Sequence, residues 1–337
     1  MTLEIIQGLL LAFALVVILM PPYIRFVRHL GFGKRIRVEG PEGHMVKEGT
    51  PTTGGLLVIL VVLGLYVLLH GIPERGIIAP LAALGIVGFL GAVDDYLNAK
   101  TGEGIRARQK LIWQTVFGVF FAWQIQQTYG VTGFRVPVLG DVLIDPWVWV
   151  ALAAFGIVAT SNGVNITDGL DGLAGGTLVF SFVAFLIIAI LNVVPLADGT
   201  TGNQPQVAVL CALLIGGLLG FLWFNVHPAQ IFMGDSGSLS FGATLAVIAI
   251  ITGQLFVLPL IGLIFVVETG SVILQVAFFK VTGGRRLFRM SPIHHHFELG
   301  GWDEEKITLR FWIVAVLAGL LGVTLALASL TDFQLTA

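Results

Sequence analysis

Four short stretches concentrate ionisable and amide side chains in a chain that is otherwise apolar. They are Asp94-Asp95-Tyr96, TSNGVNITDGLDGLAGG (160–176), NVHPAQIFMGDSGSLSFG (225–242) and HHHFELGGWDEE (294–305). Adjacent carboxylates such as Asp94 and Asp95 repel one another, and the helix C-terminus on which they are expected is unfavourable for anions. A lone aspartate there would read as a solvated interfacial residue, but a pair reads as a site that holds a cation or supplies a base. The second stretch has no Lys or Arg, yet it offers Asn162, Asn165, Asp168 and Asp171 at intervals of three, interleaved with glycines. That spacing predicts one side of a helical stretch, amide and carboxylate groups supply directional contacts, and glycine lets backbone approach a ligand. Capping, with Asp171 as N-cap of the next span, explains one of the four residues and not the rest. In the third stretch Asp235 reads equally as a helix cap and as a magnesium ligand beside an anion-cradling helix start.

The fourth stretch divides in two. His294, His295 and His296 are adjacent, so their rings diverge, and neighbouring carboxylates suit magnesium better than zinc. The histidines read as hydrogen-bond donors and proton handlers at a phosphate. Asp303, Glu304 and Glu305 read as solvated acids at a helix start. Glu268 and Gln275 lie seven residues apart, on one face of an apolar helix, where ionisable groups face a polar cavity or the bundle interior. An interhelical structural hydrogen bond is the rival reading for Gln275. Lys47 with Thr50, Thr52 and Thr53 could bind anions or anchor the following helix, and GIRARQK (104–110) adds Arg106, Arg108 and Lys110.

The elements that must position these groups are membrane helices. Hydrophobic residues make up 56% of the 337 positions and charged residues only 11%, with a mean hydropathy of +0.94. Soluble domains carry about a quarter charged residues. The 43 glycines fit closely packed transmembrane helices, and the single cysteine, Cys211, excludes a disulfide framework or cysteine metal site. Apolar segments at 3–22, 54–70, 77–93, 109–127, 146–160, 172–194, 206–224, 238–254, 256–279 and 309–330 each approach the length of a bilayer crossing. The fifth and eighth are short, which predicts tilted or partly re-entrant segments. The first is too long for a signal-peptide core and lacks a basic flank, so it is expected to be a span.

Charge placement tests this count. Of the 18 basic residues only Arg75 and Arg135 fall in even-numbered connections; all the others fall in odd-numbered ones. Under the positive-inside rule the odd connections are cytoplasmic and both termini lie outside. The expected fold is an all-α integral membrane protein: one polytopic domain over 1–337, about ten transmembrane helices, and a small external β-hairpin near 133–145 around Leu139-Gly140-Asp141. All four motif-bearing connections then share the cytoplasmic face. Carboxylates, glycine-rich helix starts and basic residues together point to phosphoryl transfer at a membrane surface, with magnesium neutralising charge. Neither a Walker-type phosphate loop nor zinc-hydrolase histidine spacing is present.

KEGTPTTGG (47–55), GAVDDYLNAK (91–100), ARQK (107–110), SNGVNITDGLDGLAGG (161–176), FMGDSGSL (232–239) and SPIHHHFELGGW (291–302) occur in that order along the chain. By these stretches the chain resembles the phospho-N-acetylmuramoyl-pentapeptide transferases, within the polyprenyl-phosphate sugar-1-phosphate transferase superfamily. It departs at Thr53, Gly163, Ile166 and Ser236, none of which removes an ionisable group. The resemblance implies a ten-span enzyme of the bacterial plasma membrane that acts at its cytoplasmic side. That enzyme moves phospho-MurNAc-pentapeptide from UDP-MurNAc-pentapeptide to undecaprenyl phosphate, releases UMP and requires Mg2+. By motif position it implies catalytic roles for Asp94, Asp95, Asp235, His294 and His295, with Asp94 as base on the lipid phosphate and Asp235 as metal ligand. Lys47, Thr52, Lys110 and His296 would contact the polar substrate. Asn162, Asn165, Asp168, Asp171, Asn225, Phe232 and Gln275 would line the nucleoside side, with Phe232 against uracil. The expected partners are the two substrates, the lipid bilayer and a second copy of the chain, with no nucleic acid.

Two other readings compete. A transferase of GlcNAc-1-phosphate or a related sugar phosphate would share the aspartate motifs, and the HHHFE stretch is what favours the MurNAc-pentapeptide enzyme. A transporter of anionic solutes would carry polar groups near the midplane and duplicated halves, whereas here the polar groups gather at one face.

Overall fold

A computed structural model describes residues 2–31, 33, 49–73, 75–131, 133–137, 139–191, 194–195, 201–202 and 204–336. Lys47 lies outside them. In hydrocarbon every backbone amide must be satisfied within the chain, so apolar runs of this length fold as helices. In chain order the helices are α1 (Thr2–His29), α2 (Gly54–His70), α3 (Arg75–Ala82), α4 (Gly88–Thr101), α5 (Ala107–Tyr129), α6 (Pro146–Thr167) and α7 (Leu173–Ile190). They continue as α8 (Pro205–Asn225), α9 (Gly234–Ile251), α10 (Leu258–Ile261), α11 (Leu263–Val281), α12 (Ile293–Glu298) and α13 (Glu304–Thr336). A π turn at Ala83–Val87 joins α3 and α4 into one rod. Among the described residues eight helices are long and apolar enough to cross a membrane; α2, at 17 residues, is shorter. Polar side chains spread along α5, among them Gln109, Lys110, Gln114, Gln124 and Gln127, set it apart from those eight.

Both segments expected to be short are longer in the structure. Helix α6 runs on through Ser161, Asn162 and Asn165 to Thr167, and α9 starts at Gly234 rather than at the apolar run. Side-chain polarity does not interrupt the backbone ladder, so an apolar-run count clips helices whose ends carry polar groups. The hairpin is present: β1 (Gly133–Val136) pairs antiparallel with β2 (Gly140–Leu143), and Arg135 binds Asp141 across it at 3.0 Å. Its turn precedes Gly140, whose positive φ of 79° opens β2, instead of centring on that residue. A second two-residue ladder pairs β3 (Val194–Pro195) with β4 (Thr201–Gly202).

Helices α8 and α9 form the centre, each 89% buried along its apolar window, whereas α1 and α11 are only 28% buried and face outward. Helix α9 can be central because GDSGSLSFGA presents small residues around its first turns, letting neighbouring backbones close in. A β-carbon at Gly55 of α2 would strike Gly237 of α9, and one at Gly91 of α4 would strike the Asp235 carbonyl. The glycines of separate sequence motifs thus answer one another across helix crossings.

The connections sort by end. Tyr129 donates to the Gly76 carbonyl at 2.8 Å, and Phe134 stacks on Trp149 at 5.3 Å and meets Phe256 edge-on at 5.4 Å. At the other ends of these helices Pro51, Asp95, Asn165 and Asp235 come together. At the crossing of α1 and α8, a β-carbon on Gly216 would run into the Leu9 carbonyl. Gly216→Leu is therefore expected to destabilise the protein by about 1–3 kcal/mol through overpacking, read as a lowered Tm in detergent. An unchanged Tm would show that the two helices do not pack this closely.

Candidate active site

The site forms where the C-terminal half of α4, the start of α5, the end of α6 and the first turn of α9 converge. Lys110 Nζ lies 2.7 Å from Asp94 Oδ2 and also contacts Asp235 Oδ2, so one ammonium bridges carboxylates 141 positions apart in sequence. Asp94 Oδ1 accepts the Ile105 amide from the turn between α4 and α5. Asn165, on the last turn of α6, donates from Nδ2 to Asp235 Oδ1 and to Ser238 Oγ, both at 2.8 Å. Two carboxylates held this close are stabilised by positive charge between them, and here it is a lysine.

Asp95 faces the same junction but does something else. Its oxygens accept the amides of Asp235 and Ser236 at 2.9 and 3.1 Å, so it supplies the negative charge at the start of α9. Gly234, at φ 76°, turns the chain into that helix, and a side chain there would press on the Asp95 carboxylate. The loop ahead is laced to the 51–55 segment by backbone: Phe232 N to Pro51 O at 2.8 Å, Gly54 N to Phe232 O at 2.8 Å and Gly55 N to Met233 O at 3.0 Å.

A polar cleft of about 220 Å³ opens here, lined by Thr52, Asp95, Asn165, Asp168, Phe232 and Asp235, with Gly33, Asn98, Ala99 and Gly234 completing its wall. Six residues singled out from the sequence therefore share one cavity. Gly33 lies outside every motif, and Asn98 and Ala99, though inside the GAVDDYLNAK stretch, carry no chemical signal of their own, since small and amide residues at helix ends are common.

Several other predicted residues are engaged in holding loops. Asn162 exchanges hydrogen bonds with Gln114 of α5, at 2.9 Å from its Nδ2. The expected shared face does not arise, because α6 ends at Thr167 and the chain turns before Asp171. Asn225 is buried, accepting the Gly172 amide at 3.1 Å and donating to Ile231 O at 2.9 Å. Asp171 accepts the Ala229 amide and approaches His227 Nδ1, each at 3.0 Å, and its own amide donates to Glu304 at 2.6 Å. Gly172, not Asp171, occupies the cap position of α7. Glu304, expected to be solvated, is thus tied into the bundle, while Glu305 stays exposed. The Asp171, His227 and Glu304 ligand atoms lie within 4.8 Å of one another, a spacing that could also accept a metal ion. Gln275 accepts the amides of Leu287 and Phe288 at 3.0 and 2.9 Å, clamping the chain before the histidines.

The three histidines on α12 each have their own Nδ1 partner, but the rings of His294 and His295 do not diverge: they meet edge to face with centroids 4.1 Å apart. His294 Nδ1 meets Glu268 at 3.0 Å, His295 Nδ1 meets Glu298 at 2.5 Å, and His296 Nδ1 accepts the Arg289 amide at 3.1 Å. Only His294 is buried. Asp95→Asn keeps the shape but can satisfy only one of the two amides at the start of α9. A loss of about 1–3 kcal/mol is expected from the buried amide left unpaired, measured as a lower Tm; a wild-type Tm would contradict the capping geometry.

Residues 77–253 match the family described as glycosyl transferase family 4. Curated relatives are similar along nearly their whole length. A phospho-N-acetylmuramoyl-pentapeptide-transferase of Desulfosudis oleivorans is 45% identical over 96% of this chain and 92% of its own. Proteins of the same name from Listeria monocytogenes (41% identical, 93% of this chain, 95% of theirs) and Geobacillus kaustophilus (41%, 95% and 97%) agree with it. With a matching family and full-length relatives above 40% identity, the chain belongs to the phospho-N-acetylmuramoyl-pentapeptide-transferase family.

Proposed function

We propose that the chain transfers phospho-MurNAc-pentapeptide from UDP-MurNAc-pentapeptide to undecaprenyl phosphate, forming lipid I and UMP. The observation that carries this reading is the Asp94–Lys110–Asp235 bridge at the rim of a polar cleft in a bundle of membrane helices. In the net reaction a lipid phosphate oxygen forms a bond to the sugar-linked phosphorus. The bond from that phosphorus to the oxygen it shares with the uridine-side phosphate breaks, and UMP leaves with the electron pair. Such chemistry asks the protein for positioning and for positive charge near the phosphates.

The donor set fits magnesium: Asp235 and Asp94 offer hard carboxylate oxygens at a point where a cation already sits. Asp235 would hold the ion, which when bound would supply neutralising charge to the diphosphate. Lys110 brings a second positive charge to the same place. Asn165 fixes the Asp235 carboxylate, and Asp94 is assigned as base on the lipid phosphate. Asp95 is assigned a positioning role, because both its oxygens serve the start of α9. Phe232 offers an aromatic wall for uracil, with Thr52 and Asp168 as polar contacts along the cleft. Asn162, through its helix contact to Gln114, and Asp171, Asn225 and Gln275, through their loop contacts, frame that nucleoside side. His294, His295 and His296 stand toward the reacting phosphates, and Lys47 contributes a further cation.

We place this site at the cytoplasmic face of the bacterial plasma membrane, with ten helices crossing, both termini outside and the β1–β2 hairpin external. The segregation of basic residues supports this orientation. Purified chain with magnesium and undecaprenyl phosphate is expected to release UMP from UDP-MurNAc-pentapeptide and not from UDP-GlcNAc. Asp235→Asn should abolish that release while the protein still elutes as folded material. Turnover of UDP-GlcNAc alone would assign the related sugar-phosphate transfer instead, and normal turnover by Asp235→Asn would exclude it as the metal ligand.

A further inference from the structure

Glu268 touches one of the three histidines and has no role in the chemistry described so far. It sits on α11, fully buried, and a carboxylate at such a position is stable only when paired. Its Oε2 lies 3.0 Å from Nδ1 of His294, which is 1% exposed. The other two polar atoms of the pair, Glu268 Oε1 and His294 Nε2, are buried with no hydrogen-bond partner among the described residues.

An ionised carboxylate accepts hydrogen bonds and cannot donate, so the imidazole nitrogen facing it must carry a proton. Nδ1–H is therefore fixed toward Glu268, and the neutral ring presents the Nε2 lone pair on its opposite edge. Nε2 abuts Gly169, where any β-carbon would overlap it. Gly169 directly follows Asp168, which lines the cleft. Absence of a side chain at 169 lets the backbone close against that nitrogen. His295 Nδ1 also faces a carboxylate, but Glu298 is on its own short helix and the pair is partly exposed, while His296 Nδ1 accepts the Arg289 amide; only His294 is oriented by a fully buried acid on another helix.

We propose that Glu268 is a positioning residue for His294: it sets the ring orientation and the Nδ1–H tautomer, so that Nε2 is kept as a proton acceptor, able to meet a protonated phosphate (P–O–H) of the substrates once the Gly169 backbone beside Asp168 yields to it. The identity of the group that meets Nε2 rests on the transferase reading; the tautomer does not. A carboxylate that merely pinned α12 against α11 would contribute to stability but would leave turnover untouched once the protein had folded.

The test is nitrogen-15 NMR of the full-length protein in detergent, labelled at histidine, with the His294 signals identified by their loss in His294→Asn. At a pH where the ring is neutral, wild-type His294 should show a protonated Nδ1 and an unprotonated Nε2. Glu268→Gln should give a mixture of tautomers, with kcat reduced on the order of 10- to 100-fold and KM for the UDP substrate within about twofold. A wild-type His294 protonated on Nε2 overturns the proposal, and this result needs no variant to fold. A folded Glu268→Gln protein with unchanged tautomer and kcat, or with only a raised KM, overturns it as well. Failure of the wild type to release UMP refutes the transferase reading, and the wild-type spectrum then decides the Glu268–His294 pairing separately.

Discussion

Two carboxylates from different helices converge on one ammonium, and the site's architecture follows from that requirement. Ionised Asp94 and Asp235 repel one another at the edge of an apolar bundle, and Lys110 places compensating positive charge between them from a third helix. Removing one partner of a fully buried ion pair typically costs about 3–5 kcal/mol, and less where, as here, Lys110 and Asp235 are partly exposed. The arrangement therefore ties α4, α5 and α9 to a single geometry. It also keeps anionic oxygen atoms and a cation together at a cleft, which is what a diphosphate substrate with a divalent ion needs.

The remaining contacts hold this junction in place from outside. Asp95 secures the first turn of α9, so the Asp235 backbone is held by the residue next to Asp94. Asn165 secures the Asp235 side chain from α6, and the 51–55 segment is hydrogen-bonded along the loop that precedes α9. Further out, Asp171, His227, Glu304, Asn225 and Gln275 bind the connecting loops to one another. Side chains that look like ligand contacts in isolation thus divide into a small group facing the cleft and a larger group fixing the loops around it.

Much of this was legible in the sequence. The helices follow from apolar run length, and the gathering of the motifs follows from which connections carry lysine and arginine. Asp94, Asp95, Asn165, Asp168 and Asp235 were recognisable as polar groups out of keeping with their surroundings, and Phe232 only through the family resemblance. What the sequence withheld is the partner of each. The Lys110–Asp235 contact spans 125 positions and Asp95 caps a helix 140 positions later, and neither has a local pattern. The interval of three across Asn162, Asn165, Asp168 and Asp171 misled because it assumed a helix that stops at Thr167. Glu304 looked solvated because acids suit a helix start, and only the packing of α13 against the 171–172 turn shows otherwise.

The central claim is that Lys110 occupies a cation position shared by Asp94 and Asp235. It is tested most directly by the thermal stability of Lys110→Met with and without magnesium. Without the ion the variant should unfold below the wild type. Millimolar magnesium should raise its Tm by more than it raises that of the wild type, because a divalent ion takes the vacated place between the carboxylates and stabilises the folded state by mass action. A Lys110→Met protein as stable as the wild type, or one whose Tm does not respond to magnesium, would contradict the account.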